Sequence, residues 1–158
     1  ADGRYLVSAD EGDTDPKIAK TKAGLPSGGG RTVSVFDALS GKLLGDTGSQ
    51  LDDMAAKAGV YPDARSPNKG SEPEGVVSFD AFGKRLAVAT LERADALALI
   101  DLDQPAQPEV LQVIGAGEGA GSGKLAPEGL AHVERNGRHF LVTGLEKSGN
   151  VALFELLE

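Results

Sequence analysis

Two stretches of this chain can be written one above the other: PEGVVSFDAFGKRLAVATLERADALALIDL, Pro73 to Leu102, and PEGLAHVERNGRHFLVTGLEKSGNVALFEL, Pro127 to Leu156. They align without a gap. Pro73, Glu74, Gly75, Gly83, Val88, Leu91, Glu92, Ala98, Leu99 and Leu102 meet identical residues, and most other pairs keep apolar or polar character. Self-similarity over such a length means one structural unit used more than once, each copy burying its apolar face on its neighbour.

A third, partial copy stands near the start. YLVSADEG (Tyr5 to Gly12) matches FLVTGLEK (Phe140 to Lys147), and TVSVFD (Thr32 to Asp37) matches NVALFE (Asn150 to Glu155). The two matches are separated by extra residues in the first copy. The tract DTDPKIAKTKAGLPSGG, Asp13 to Gly29, accounts for them. It is polar, lysine-bearing and glycine-tailed, the composition of an inserted surface loop.

Each copy reads as short strands between turns. A strand follows the Pro-Glu-Gly element (Val76 to Phe79; Leu130 to Val133), and a turn with Gly83 or Gly137 comes next. A buried strand (Leu86 to Leu91; Phe140 to Leu145) and an alternating one (Leu97 to Leu102; Val151 to Leu156) complete the common pattern. Glu109 to Ile114 supplies a fourth strand to the middle unit. The expectation is an all-β chain built of four-stranded antiparallel β-propeller blades, about three of them. It divides into a partial blade over 1–48 with an inserted loop at 13–29, a helix and linker over 49–72, a blade over 73–114, a linker over 115–126 and a blade over 127–158. The helix is expected in SQLDDMAAKAG, with Ser49 as N-cap, apolar Leu51, Met54, Ala55 and Ala58 on one side, and Gly59 as the stop.

Composition narrows the function. The chain has 158 residues and a net charge of −8, so clustered Lys and Arg for a phosphate backbone are missing and nucleic acid is not an expected partner. No apolar run approaches the ~20 residues of a transmembrane helix. With no cysteine, disulfides, thiolate metal sites and thiol nucleophiles are excluded together. The start at Ala1 suits a processed form or an excised piece.

Two motifs invite enzymatic readings that their context does not support. VIGAGEGAGSGK (Val113 to Lys124) satisfies G-x-G-x-x-A through Gly115, Gly117 and Ala120. A dinucleotide site needs a helix immediately downstream to present its N–H groups, and GSGKLAPEG does not start one. A P-loop would need Gly where Glu118 stands, and Ser or Thr where Leu125 stands. The segment reads instead as the linker between blades. GDTGS (Gly45 to Ser49) contains the Asp-Thr-Gly of aspartic proteases, but those enzymes share a proton between two such carboxylates. Asp46 and Gly48 are expected to form a turn before the helix. His132 and His139 are expected as ordinary surface or edge residues.

The repeated acids are the remaining candidates. Glu92 and Glu146 hold one place in their units and Glu11 falls there in the partial copy, while Glu74 and Glu128 repeat in the Pro-Glu-Gly element. Equivalent positions of successive blades form a ring, so these carboxylates are expected to converge at the central axis or one mouth. Like charges so placed repel unless a cation joins them, and hard oxygen donors suit calcium or magnesium. Asp13, in DEGDTD, adds a donor. The candidate metal ligands are therefore Glu11, Asp13, Glu74, Glu92, Glu128 and Glu146. The same acids can equally cap strand ends or pair with Lys84, Arg85, Arg93, Arg138 and Lys147.

Several ordered motifs resemble the choice-of-anchor I family. YLVSADEGD is similar to its Y-L-V-T-A-N-E-G-D element, and GRTVSVFDALSGKLLGDTGSQLD to its G-R-S-F-S-I-W-D…G-x-L-V-F-D-S-G stretch. SPNKGSEPEGVV resembles S-D-D-K-G-P-E-P-E-G-V, and LAPEGLAHV and LVTGLEKSGNVALFEL resemble L-G-P-E-G-L and L-L-V-A-N-E-x-S-G-T-V-x-V-Y. Asp10 stands where that family has Asn, and the chain resembles the C-terminal half of a member. The resemblance implies a β-propeller in an extracellular, periplasmic or cell-surface location. It implies function poorly, since members carry alkaline-phosphatase-like, phytase-like or esterase-like labels. The reading is a binding module, not demonstrably an enzyme, with calcium as a candidate ligand. The alternative is a calcium-dependent phosphoesterase with metal on Glu11, Glu92 and Glu146, against which stands the lack of clustered Lys and Arg near the acids. The partner expected is the remaining half of the propeller, or a second copy of the chain.

Overall fold

The computed structural model describes residues 3–12 and 30–158. The candidate ligand Asp13 and the inserted loop 13–29 lie outside them. Among the described residues the chain is all-β apart from short helical turns, and forms three antiparallel sheets in sequence order. The first joins β1 (Tyr5–Asp10), β2 (Thr32–Asp37) and β3 (Leu43–Asp46). The second joins β4 (Pro73–Ala81), β5 (Lys84–Leu91), β6 (Ala96–Asp101) and β7 (Glu109–Gly115). The third joins β8 (Pro127–Arg135), β9 (Arg138–Leu145) and β10 (Asn150–Leu156).

The repeat is carried down to backbone detail. Three pairs of equivalent positions share the left-handed conformation: Glu72 and Ala126 (φ 58° and 54°), Phe82 and Asn136 (54° and 55°), and Asp95 and Gly149 (50° and 70°). The register of β4 against β5 slips between Pro73 and Val76, and that of β8 against β9 between Pro127 and Leu130. Each Pro-Glu-Gly element is thus a bulge at the head of its strand, so both strands start earlier than the alternation alone suggests.

The sheets stack through two apolar layers. Val33, Val35, Tyr5 and Val7 of the first sheet meet Ala87, Ala89, Ala98 and Ile100 of the second, with helix α1 (Gln50–Lys57) contributing Leu51 and Ala55. Phe79, Leu86, Val88 and Leu97 on the other side of the second sheet meet Leu141, Leu145 and Phe154 of the third. Strand β4 lies beside both β1 and β8, so the heads of the units come together at one place. There, a Cβ on Gly75 would stand 2.5 Å from the carbonyl oxygen of Glu128, an approach only glycine permits.

The linker contains no helix, and a buried side chain fixes its course. The Asp95 carboxylate, fully buried, accepts the backbone N–H groups of Lys124, Leu125 and Ala126 at 3.1, 2.9 and 2.9 Å. Asp46 makes the expected turn, accepting the Gly48 N–H at 2.7 Å. Two expectations need correction. Ser49 precedes α1, but its hydroxyl donates to Asp53 at 2.7 Å rather than capping the helix, because its backbone is already helical at φ −81°, ψ −2°. His139 is buried, not an edge residue: it sits 3.1 Å from His132, whose ring stacks on Phe79 at 3.9 Å. The space between the second and third sheets accepts a flat ring at that point, and the imidazoles fill it.

Candidate functional site: a carboxylate cluster where the sheets converge

At the head of each unit the chain repeats one pair of backbone bonds. Glu92 N–H donates to the Glu72 carbonyl and Arg93 N–H to that of Ser71, at 2.9 and 3.2 Å. Glu146 and Lys147 N–H donate to Ala126 and Leu125 at 2.9 and 3.3 Å. These bonds hold the ends of β5 and β9 against the segments leading into β4 and β8. They set Glu92 and Glu146 in equivalent places, each beside the glutamate of a Pro-Glu-Gly element.

The acids form two overlapping groups. Carboxylate oxygens of Glu74, Glu92 and Glu128 lie within 4.8 Å of one another, and so do those of Glu11, Glu72 and Glu74. Glu74 belongs to both, its carboxylate beside that of Glu92. Glu146, exposed, lies near Glu128 and helps to raise its carboxyl, but stands outside both groups. Of the candidate ligands, the fold therefore gathers Glu11, Glu74, Glu92 and Glu128, and sets Glu146 next to them.

The two groups differ in charge balance. Glu72, 2% exposed, is surrounded by cations: Arg65 Nη2 at 2.8 Å, Lys69 Nζ at 2.9 Å and Arg93 Nε at 3.0 Å. Burial alone would push its carboxyl up, but hydrogen bonds from Lys69, Arg65 and Arg93 outweigh this and hold it below the ordinary range. Lys69 also reaches Glu11 at 2.5 Å. This half is a neutralised, structural ion network. Glu92, equally buried, has one cation among the described residues, Arg93 Nη1 at 2.5 Å, and faces Glu74 and Glu72. Its carboxyl is pushed up to about 7, mainly by burial, with the neighbouring carboxylates adding to it and Arg93 opposing. Glu128 is also raised, first by desolvation and then by Glu146 and Glu74. That half holds more negative charge than its neighbours among the described residues neutralise.

Glu72, the hub of the ion network, is not among the candidates that the sequence offers. Ala126 stands at the equivalent place in the last unit, so repeat matching passes over it. The available signal was the stretch SPNKGSEPEGVV, which contains both Lys69 and Glu72. The expected lack of Lys and Arg near the acids is likewise corrected, because Arg65, Lys69 and Arg93 converge there from separate parts of the chain.

No helix among the described residues is long and apolar enough to cross a membrane. No curated protein and no solved structure matches the chain. The model of the choice-of-anchor I domain matches residues 1–105, which include the first sheet, the ion network and most of the second sheet. The chain belongs to the choice-of-anchor I family.

Proposed function

We propose that the chain is a binding module of a secreted or cell-surface β-propeller, and that it takes a divalent cation, calcium foremost, on Glu74, Glu92 and Glu128. The observation that carries this reading is the juxtaposition of those three carboxylates, with Arg93 as their one close cation among the described residues. Each offers a hard oxygen from a different strand end, and a calcium ion accepts six to eight such oxygens in flexible geometry, carbonyls and water included. Location outside the cytoplasm agrees with the family. The phosphoesterase alternative needs cations free to take up phosphate, and Arg65, Lys69 and Arg93 are each engaged by a carboxylate. The geometry lends it no separate support.

Calorimetric titration of the chain with calcium chloride near pH 7.5 tests the proposal, with a Glu92→Gln, Glu128→Gln variant as control. Saturable binding that the variant loses is expected. Absence of binding by the folded wild-type chain would leave the carboxylates as a structural network and overturn the reading.

A further inference from the structure

The hairpin of β8 and β9 brings two imidazoles and a carboxylate onto one face. His132 and Glu134 alternate along β8 and so point the same way, and Glu134 is the direct cross-strand partner of His139 on β9. Directly opposed residues of an antiparallel pair have Cβ atoms about 4.5–5.5 Å apart, and diagonal ones are about 7–8 Å apart. His132, Glu134 and His139 therefore stand at the corners of a small triangle. The face is the one turned toward the second sheet, where the His132 ring stacks on Phe79 at 3.9 Å and Phe82 meets His139 edge-on at 5.2 Å. Packing against the two phenyl rings orients both imidazoles.

The imidazoles meet through their nitrogens, with His132 Nε2 and His139 Nδ1 3.1 Å apart. Two ring nitrogens that ligate one zinc ion at about 2.0–2.1 Å, at angles between a right angle and the tetrahedral one, stand roughly 3–3.4 Å apart. The observed separation is that of such a ligand pair. As a hydrogen bond the contact joins one donor to one acceptor. With an ion, each ring carries its proton on the other nitrogen, Nδ1 of His132 and Nε2 of His139, and both facing lone pairs go to the metal. Glu134 is exposed and in no ion pair among the described residues, so its side chain is at liberty to rotate onto the ion as a third ligand. His139 is 7% exposed and His132 only half-buried, so an ion enters from the His132 side.

The donor set selects the metal. Imidazole nitrogen suits zinc, copper and nickel, whereas calcium takes oxygen ligands. Two histidines and a glutamate are a zinc set that leaves the fourth position of a tetrahedral ion to water or a ligand atom. Glu128 stands near the other end of β8, about 13 Å of strand from His132, so the carboxylate cluster is a separate place.

We propose that His132, His139 and Glu134 bind a zinc-type divalent cation between the second and third sheets. This site is independent of the reading of the carboxylate cluster.

Calorimetric titration of the chain with zinc chloride near pH 7.5 tests it, on the wild type and on the Glu92→Gln, Glu128→Gln variant, which disables the carboxylate cluster. Saturable zinc binding is expected in both, and excess calcium chloride is expected not to displace it. His132→Gln and the exposed Glu134→Gln are each expected to weaken binding by at least about tenfold, the loss that removing even a hydrogen-bond partner of a ligand produces. Circular dichroism checks that each variant is folded. Long-range proton–nitrogen NMR spectra of the wild-type imidazoles provide a readout that needs no substitution: His132 Nε2 and His139 Nδ1 are expected to shift together as zinc is added. A folded wild type that binds no zinc would overturn the proposal. So would zinc binding that the carboxylate variant loses and His132→Gln keeps, or ring nitrogens that do not shift at saturating zinc.

Discussion

Replacing Asp95 tests how the linker is held, and the structure allows the cost to be worked out. The carboxylate accepts three backbone N–H groups, from Lys124, Leu125 and Ala126, and the bond to Ala126 is fully buried. A buried donor left without its charged acceptor costs about 1.5–3 kcal/mol, and the two half-buried donors, which water can reach in part, add roughly 1 kcal/mol each. The informative substitution is Asp95→Gly. Asp95 has φ 50°, and its repeat equivalent Gly149 has φ 70°, so glycine removes the carboxylate without straining the turn. The expected loss is about 3–5 kcal/mol, or on the order of 10 °C in melting temperature for a chain of this size. Urea unfolding gives the number directly from the shift in midpoint at constant slope. A variant within 1 kcal/mol of wild type, an order-of-magnitude bound on one such bond, would refute the claim that Asp95 fixes the course of the linker.

Other consequences follow from the same geometry. Without added metal, the Glu92 carboxyl titrates near 7, so between the ordinary glutamate range and that pH the folded state holds a proton that the unfolded chain has released. Stability is expected to fall as pH rises through that window, by at most about 3 kcal/mol, and Glu92→Gln should flatten the slope in urea midpoints measured from pH 5 to 8. Glu72 works the other way: its carboxyl is held low by its cations, so its contribution is present at neutral pH and lost as the carboxyl protonates on acidification. Glu72→Gln, which leaves three cations around a neutral group, should cost about 3 kcal/mol or more at pH 7, read by thermal melting. Gly59 closes helix α1 at φ 73°, with the Val60 N–H donating to the Ala55 carbonyl and the Gly59 N–H to that of Ala56. Gly59→Ala meets no neighbour but must adopt that conformation, at an expected cost of about 1 kcal/mol in the same melting assay.

The strands were legible because each unit repeats them, and alternation in a stretch such as Val151 to Leu156 is confirmed by its counterpart in Leu97 to Leu102. The gathering of Glu74, Glu92 and Glu128 was legible for the same reason, since equivalent residues of stacked sheets come close wherever the unit heads meet. What does not repeat could not be read this way. Glu72 and its three cations come from one unit and its approach segment, and their meeting depends on a turn through Asp63–Arg65 that has no sequence period. The role of Asp95 was hidden likewise, because the third unit has Gly149 at that place and so no carboxylate to match. His139 was misplaced because it aligns with Arg85, as His132 does with Ser78, and neither says anything of a stacked pair between sheets.

A crystal structure of the chain grown with calcium tests the cation site most directly. One ion is expected, bound by oxygens of Glu74, Glu92 and Glu128 at distances of about 2.3–2.6 Å, with Arg93 turned toward Glu72. Carboxylates hydrogen-bonded to one another at saturating calcium, with no ion among them, would contradict it.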